Sequence, residues 1–233
     1  MGLCLTGSAQ DVADVVFLTN DSVQVEWIAD HLLTDVTYYN DIRNMRGCTG
    51  CYQGNRVSVQ GIGIGPVNAN MYAVELMNEF GVKRAVKIDG CKALRADIRL
   101  GDMLLPQTAH TTSAINKRRF AGATFPAAAD FELLNRVYDA AKERGPVYVG
   151  PVVSIEHRGE MEAARRFGAR GTIGMDMEMN QVFTAAQRFH IPCVGILAVM
   201  ENMITGESMS VRQREKTFED LARFALDTAA TNN

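Results

Sequence analysis

Between Gly61 and Leu94 the chain reads GIGIGPVNANMYAVELMNEFGVKRAVKIDGCKAL, and this stretch limits the fold more than any other. Tyr72, Val74, Leu76, Met77 and Phe80 recur at near-helical spacing and stop at Gly81, a residue suited to closing a helix. Val82, Ala85, Val86 and Ile88 then form a short run of strand character that Gly90 is expected to end. A Gly-rich turn, a helix and a strand make one βαβ unit, which points to an α/β sheet with parallel strands. In open sheets of that kind ligands sit beyond the carboxyl ends of the strands. The two ends here are GIGIGP and DGCKAL, and the active site is expected between them.

Outward from this unit, ADVVFL (Ala13 to Leu18) reads as a buried strand. Asp21 or Ser22 caps a helix that carries Val23, Trp27, Ile28 and Leu32. Residues 36–65 read as a strand meander with CTGCYQG as its turn region. DMLLPQTAH is a strand, the following segment to Asp130 a long polar loop, FELLNRVYDAAKERG an amphipathic helix, and VYVGPVVSI a strand. After a short helix (GEMEAARRFG) come TIGMDME, a second helix, the buried strand IPCVGILAVM, and a terminal helix with Phe218, Leu221, Phe224 and Ala225 on one face. No repeat or linker divides the chain, so 1–233 is read as one domain.

Acids at strand ends carry the chemical signal. Asp176 and Glu178 lie where MDME passes from strand to helix, and Glu201 follows the last apolar run, positions where such folds keep reactive groups. A merely solvated loop at Glu201, Asn202 and Thr205 is the plain alternative, and Arg214 alone would be a surface charge. Glu156 and His157 form a further polar loop, where a lone histidine is more often structural. Cys48 and Cys51 have metal or redox spacing, but no second pair completes a zinc site, so packing cysteines are expected and no metal. GxSxG, GKS/GKT and HExxH are absent from the sequence, which removes serine hydrolase, P-loop and zincin readings.

With a net charge of −3 and no dominant basic run, the chain lacks the electrostatic footprint of a nucleic-acid binder. No apolar run is long enough to span a bilayer and no secretory leader precedes the first strand. Five scattered cysteines suit a reducing compartment, and a cytoplasmic location is expected.

Several blocks together resemble the hexameric, bacterial-type purine nucleoside phosphorylases, within the nucleoside phosphorylase and nucleosidase superfamily. They are ADVV, NDIRNMRGCTGCYQG, GIGIG, ELMNEFGVKRAVKIDGCKAL, FELLNRVYDAAKERG, MDME, and VMENMITGE followed by REKTF, in the family's order and spacing. The resemblance implies a three-layer single α/β domain, a central mixed twisted sheet flanked by helices. It also implies cleavage of a nucleoside's N-glycosidic bond, with phosphate as co-substrate and no cofactor. By the same resemblance Glu178 grips the ribose hydroxyls, Met177 packs under the sugar, and Met175, with Cys91 and Lys92, borders the base. Glu201 takes the position of the acid that protonates the departing base, where the family has Asp, and Arg214 that of its assisting arginine. One extra methylene moves the proton by about 1 Å, which costs ~100-fold in rate if nothing compensates.

The family's phosphate positions fall on Asn20, Gln24, Arg43, Lys87 and Gly90, of which Arg43, lent by a neighbouring subunit, is unchanged. Cys4 replaces a histidine that the family lends across a dimer to the sugar, and Asp89 and Lys92 replace small glycines. Loss of an arginine at 24 and a hydroxyl at 90 removes charge-assisted hydrogen bonds worth ~1.5 to 3 kcal/mol each. Three functions follow as candidates: a phosphorylase of altered specificity, a hydrolase of the same fold in which water replaces phosphate, and a non-catalytic nucleoside-binding relative. The resemblance further implies a homodimer or a trimer of dimers.

Overall fold

The computed structural model describes residues 2–230. Among these residues ten strands form one mixed sheet: β1 (Val15–Thr19), β2 (Thr34–Asn40), β3 (Gly47–Tyr52), β4 (Asn55–Gly61), β5 (Arg84–Ala93), β6 (Met103–Thr111), β7 (Ala127–Ala128), β8 (Val147–Ser154), β9 (Gly174–Asp176) and β10 (Cys193–Asn202). Its path is β10-β6-β8-β9-β5-β1-β4-β3-β2, and β10 also pairs with β5, so β5, β9, β8, β6 and β10 close into a ring. Strands β4, β1, β5 and β10 run parallel to their neighbours in that series, and their carboxyl ends share one edge.

Seven helices among the described residues flank the sheet: α1 (Ser22–Leu32), α2 (Pro66–Glu79), α3 (Ile115–Arg119), α4 (Phe131–Ala141), α5 (Met161–Gly168), α6 (Met179–Arg188) and α7 (Val211–Ala229). Tyr72, Leu76 and Phe183 from α2 and α6 pack on one face, with Val16 and Leu18 of β1. Ile28, Leu134, Phe218 and Phe224 from α1, α4 and α7 pack on the other, with Phe17 and Ile88. Successive residues of β1 thus serve opposite layers, and the three-layer α/β arrangement expected from the sequence stands.

Asp21 caps α1 by accepting from the Gln24 N–H at 2.8 Å, as the sequence suggested. Val23, however, is 73% exposed; the buried face is Ser22, Val25, Ile28 and Ala29. The long polar segment before Asp130 carries α3 and β7. CTGC lies inside β3 rather than in a turn. In a strand, residues three apart point to opposite faces, and Cys48 is buried while Cys51 is partly exposed. Burial pushes the Cys48 thiol up to about 12, which makes it inert packing. Nor does Gly90 end β5, which runs on to Ala93. A Cβ at Gly90 would lie 2.3 Å from the Met200 sulfur of β10, so the glycine admits a neighbouring side chain within a continuing strand.

Ahead of β1, the first residues are anchored by Glu75 of α2. Its carboxylate accepts from the backbone N–H of Leu3 (3.0 Å), Cys4 (3.0 Å) and Leu5 (2.7 Å). Glu75→Ala is expected to lower unfolding free energy by about 2 kcal/mol, since buried donors lose a charged acceptor. Urea denaturation measures this, and a loss below about 0.5 kcal/mol, the size of an ordinary surface change, would mean that the segment is held by packing alone.

Candidate active site

At the shared edge of β1, β5 and β10, a cleft of about 440 Å³ is lined on one side by Asn20, Asp176, Met177 and Glu178 and on the other by Lys92, Glu201 and Arg214. Gly90, Cys91, Met175, Ile155, Met161 and Met200 form its largely apolar wall.

Glu178 reaches the cleft because Asp176 pins the turn that leads into α6. The Asp176 Oδ2 accepts from the N–H groups of Glu178 (2.8 Å) and Met179 (2.5 Å), while Oδ1 takes the Ser154 hydroxyl at 2.7 Å. This fixes the strand-to-helix turn and turns Glu178 inward, 2% exposed. The Gly65 N–H donates to Glu178 Oε1 at 2.7 Å, and the Asn20 amide nitrogen lies 3.5 Å from Oε2. Gly65 adopts φ +94°, a conformation that side-chain-bearing residues rarely tolerate, so the glycine-rich turn serves to present a backbone donor to this carboxylate. Asn20 Oδ1 is buried without a hydrogen-bond partner, an acceptor available to a ligand hydroxyl.

Burial raises the Glu178 pKa to about 8; Lys87 opposes the shift, and Asp89 and Asp176 reinforce it. Asp176 is also raised, again chiefly by burial, against the hydrogen bonds it accepts. Lys87 of β5 is 1% exposed and forms a 2.7 Å ion pair with Asp89.

Across the cleft, a register shift between Val199 and Glu201 sets Glu201 beside Lys92, whose other lateral neighbour is Met175 of β9. Glu201 is therefore a strand residue at a bulge, not the start of a solvated loop. Lys92 Nζ lies 2.5 Å from its Oε2 and Arg214 2.6 Å from its Oε1. Arg214 is fixed in turn by the Met209 carbonyl and the Ser208 hydroxyl. Partial burial pushes the Glu201 pKa up, but hydrogen bonds from Lys92 and Arg214 outweigh it and hold the carboxyl below its ordinary value. Lys92 folds against Glu201 and lines the cleft beside it.

The expected residues are not all gathered here. Glu178, Met177, Met175, Cys91, Lys92, Glu201, Arg214, Asn20 and Gly90 line one cleft. Gln24 lies instead in an adjoining cavity of about 590 Å³ between α1 and α7, with Trp27 and Phe218, and this cavity shares Asp89, Met200 and Arg214 with the cleft. Although larger, it holds neither Glu178 nor Glu201. Lys87 is buried, pairs with Asp89 and does not line the cleft. Cys4 is buried against the core of its own chain, and Arg43 donates to the Leu3 carbonyl at 2.7 Å; neither lines this chain's cleft. Arg43 and Asn44 have φ of +55° and +58°, a strained pair of non-glycine residues that turns the Arg43 side chain toward the first residues.

Sequence reasoning gave no role to Ser154, Ile155, Met161 or Met200. Ser154 was findable as a hydroxyl at a strand end, whereas the apolar residues look like any other core positions. His157 caps a turn by accepting from the Gly159 N–H at 3.0 Å, a structural role. Among the described residues, no group of three or more His, Cys, Asp or Glu is placed to hold a metal ion, and no helix is long and apolar enough to cross a membrane.

The model of the phosphorylase superfamily matches residues 14–230. The chain belongs to this family. Among its relatives, a DeoD-type purine nucleoside phosphorylase of Caldanaerobacter subterraneus subsp. tengcongensis is 36% identical over 232 residues, 98% of this chain and 100% of the relative. One of Bacillus thuringiensis is 34% identical, covering 98% and 99%. The fold is that of uridine phosphorylase from Vibrio fischeri ES114, solved with 6-hydroxy-1-naphthoic acid: the TM-score is 0.82 at 22% identity, over 96% of this chain and 92% of that one. The family read from the sequence blocks stands.

Proposed function

We propose that this chain cleaves the N-glycosidic bond of purine nucleosides by phosphorolysis, giving the free base and a pentose 1-phosphate. The observation that carries this reading is one cleft bounded by a buried carboxyl at Glu178 and by the Lys92–Glu201–Arg214 cluster. Breaking the bond leaves cationic character on the sugar and negative charge on the base. A carboxylate near the first and proton-bearing cations near the second stabilise both. Glu178 and Asn20 receive the sugar hydroxyls, Met177 supports the ring, and Met175, Cys91, Ile155 and Met161 flank the base.

Glu201 was expected to donate the proton itself. With both oxygens engaged and its pKa held low, it acts here as the anchor of a cluster that delivers the proton through Lys92, aided by Arg214. Phosphate approaches the sugar from the Lys87–Gly90 side and needs no cofactor. Arg43, exposed and outside its own chain's cleft, is the residue that a second copy would receive, whereas Cys4 is buried in its own core; this favours a homodimer as the smallest complete unit and a trimer of dimers as its assembly. Five free thiols favour the cytoplasm.

The test is a panel of purine and pyrimidine nucleosides incubated with and without phosphate, with free base followed by chromatography. Release of purine that requires phosphate is expected. Release independent of phosphate would make water the nucleophile and overturn phosphorolysis. No release, with a nucleoside still raising the Tm, would leave a binding protein.

A further inference from the structure

Lys87 is enclosed by the sheet, and the Asp89 carboxylate two residues along β5 takes it. Oδ2 of Asp89 lies 2.7 Å from Lys87 Nζ, while Oδ1 accepts from the Gly90 N–H, also at 2.7 Å. The ammonium and the backbone N–H that this strand end would offer an incoming anion are therefore both spent on one side chain of the same strand. Asp176 and Glu178 stand in the field of the same lysine. The cations that line the cleft, Lys92 and Arg214, are both engaged by Glu201. Asn20 and Gln24 add no charge, and the Asn20 N–H is itself turned to Gln24 Oε1 at 3.2 Å. A phosphate dianion entering here meets carboxyl groups and no unpaired cation among the described lining residues, an unfavourable encounter at low dielectric.

We propose that Asp89 is a specificity-determining residue, an internal anion seated in the phosphate position, and that phosphate binds only by displacing its carboxylate from Lys87 and Gly90. The inference rests on the reading of the cleft as a nucleoside and phosphate site. Asp89 borders both the cleft and the adjoining cavity beside Gln24 and Trp27, so the displaced carboxylate has solvent-accessible space to enter. Phosphate affinity is therefore set by competition within the chain, while the nucleoside, held at Glu178 and the methionine wall, depends on Asp89 only through its charge on Glu178.

Calorimetric titration of inorganic phosphate into the full chain, Asp89→Asn and Asp89→Gly tests this. Asp89→Gly is expected to bind phosphate about 10- to 100-fold more tightly, the span of one charge-assisted hydrogen bond, with inorganic sulfate gaining by a similar factor. Asp89→Asn, nearly the same shape and still able to accept from Lys87, guards against misfolding and should gain less, in the same direction. In steady state the KM for phosphate should fall while the KM for nucleoside changes little. Variants with native circular dichroism whose phosphate affinity is unchanged or weaker would overturn the proposal. Binding is read without turnover, so failure of every nucleoside to release base would refute the catalytic reading while the titration still decides the role of Asp89.

Discussion

Glu178→Ala is expected to lower kcat/KM for nucleoside by at least about 1,000-fold, the scale of removing a preorganised charge from a dry site. Nucleoside binding that depends on the sugar hydroxyls should vanish with it, and isothermal titration with nucleoside against free base separates this from lost base contacts. Unaltered nucleoside affinity would contradict the sugar's position. The pKa of about 8 gives a pH signature, because the ionised form is the one that stabilises a cationic sugar. kcat/KM should rise with pH through about 8, and Glu178→Gln should flatten that limb.

Stability moves oppositely. The folded pKa, about 8, lies above the ordinary value of 4.5, so between them the folded state keeps a proton that the unfolded state has lost. Stability from this group is whole below 4.5 and drains away as pH rises to about 8; the raised Asp176 adds to the same trend. Glu178→Gln should thus be more stable than the parent at the alkaline end, the advantage shrinking in acid. A destabilisation equal at every pH would refute the buried, protonated resting state. The carboxyl belongs to the class of functional groups kept at a cost in stability.

Much of the architecture was legible because it is periodic. The Tyr72 to Phe80 pattern is α2, and Phe218, Leu221, Phe224 and Ala225 do form the buried face of α7. Local signals failed where pairing between distant strands took over. Gly90 reads as a stop, yet β10 and β9 pair with β5 beyond it and carry it to Ala93, with Met200 lying over the glycine. Glu201 reads as a loop residue because a charge follows apolar residues; its strand character depends on bulged pairing with Lys92 that no local pattern encodes. CTGC resembles a turn by its glycine, but hydrogen bonds to β2 and β4 on both sides make it a central strand.

Positions of the acids were legible for a simple reason: carboxyls at or just past the ends of buried strands lie at the sheet's edge. Their partners were not. Lys87 and Asp89 are two apart on one strand and so point the same way, a relation visible once a continuous β5 is known. That Lys92 would meet Glu201 rather than Asp89 depends on register. The Gly65 N–H on Glu178 joins groups 113 residues apart, and only the folded sheet relates them.

Glu201→Ala should lower kcat for ordinary purine nucleosides by about 100- to 1,000-fold, within the range of lost acid–base assistance, with KM changed far less. The Lys92 ammonium and the Arg214 guanidinium lose the carboxylate 2.5 and 2.6 Å away that orients them toward the base, so the proton no longer arrives where the leaving nitrogen needs it. Stability should change by no more than about 1 kcal/mol, because the ion pairs are partly solvated. A purine nucleoside already alkylated at N7 isolates the role. Its base departs neutral and needs no proton, so the variant should turn it over nearly as fast as the parent does. Should the defect be equally deep for the alkylated substrate, the cluster would be holding the sugar or the fold, and the proton would have to come from elsewhere in the cleft.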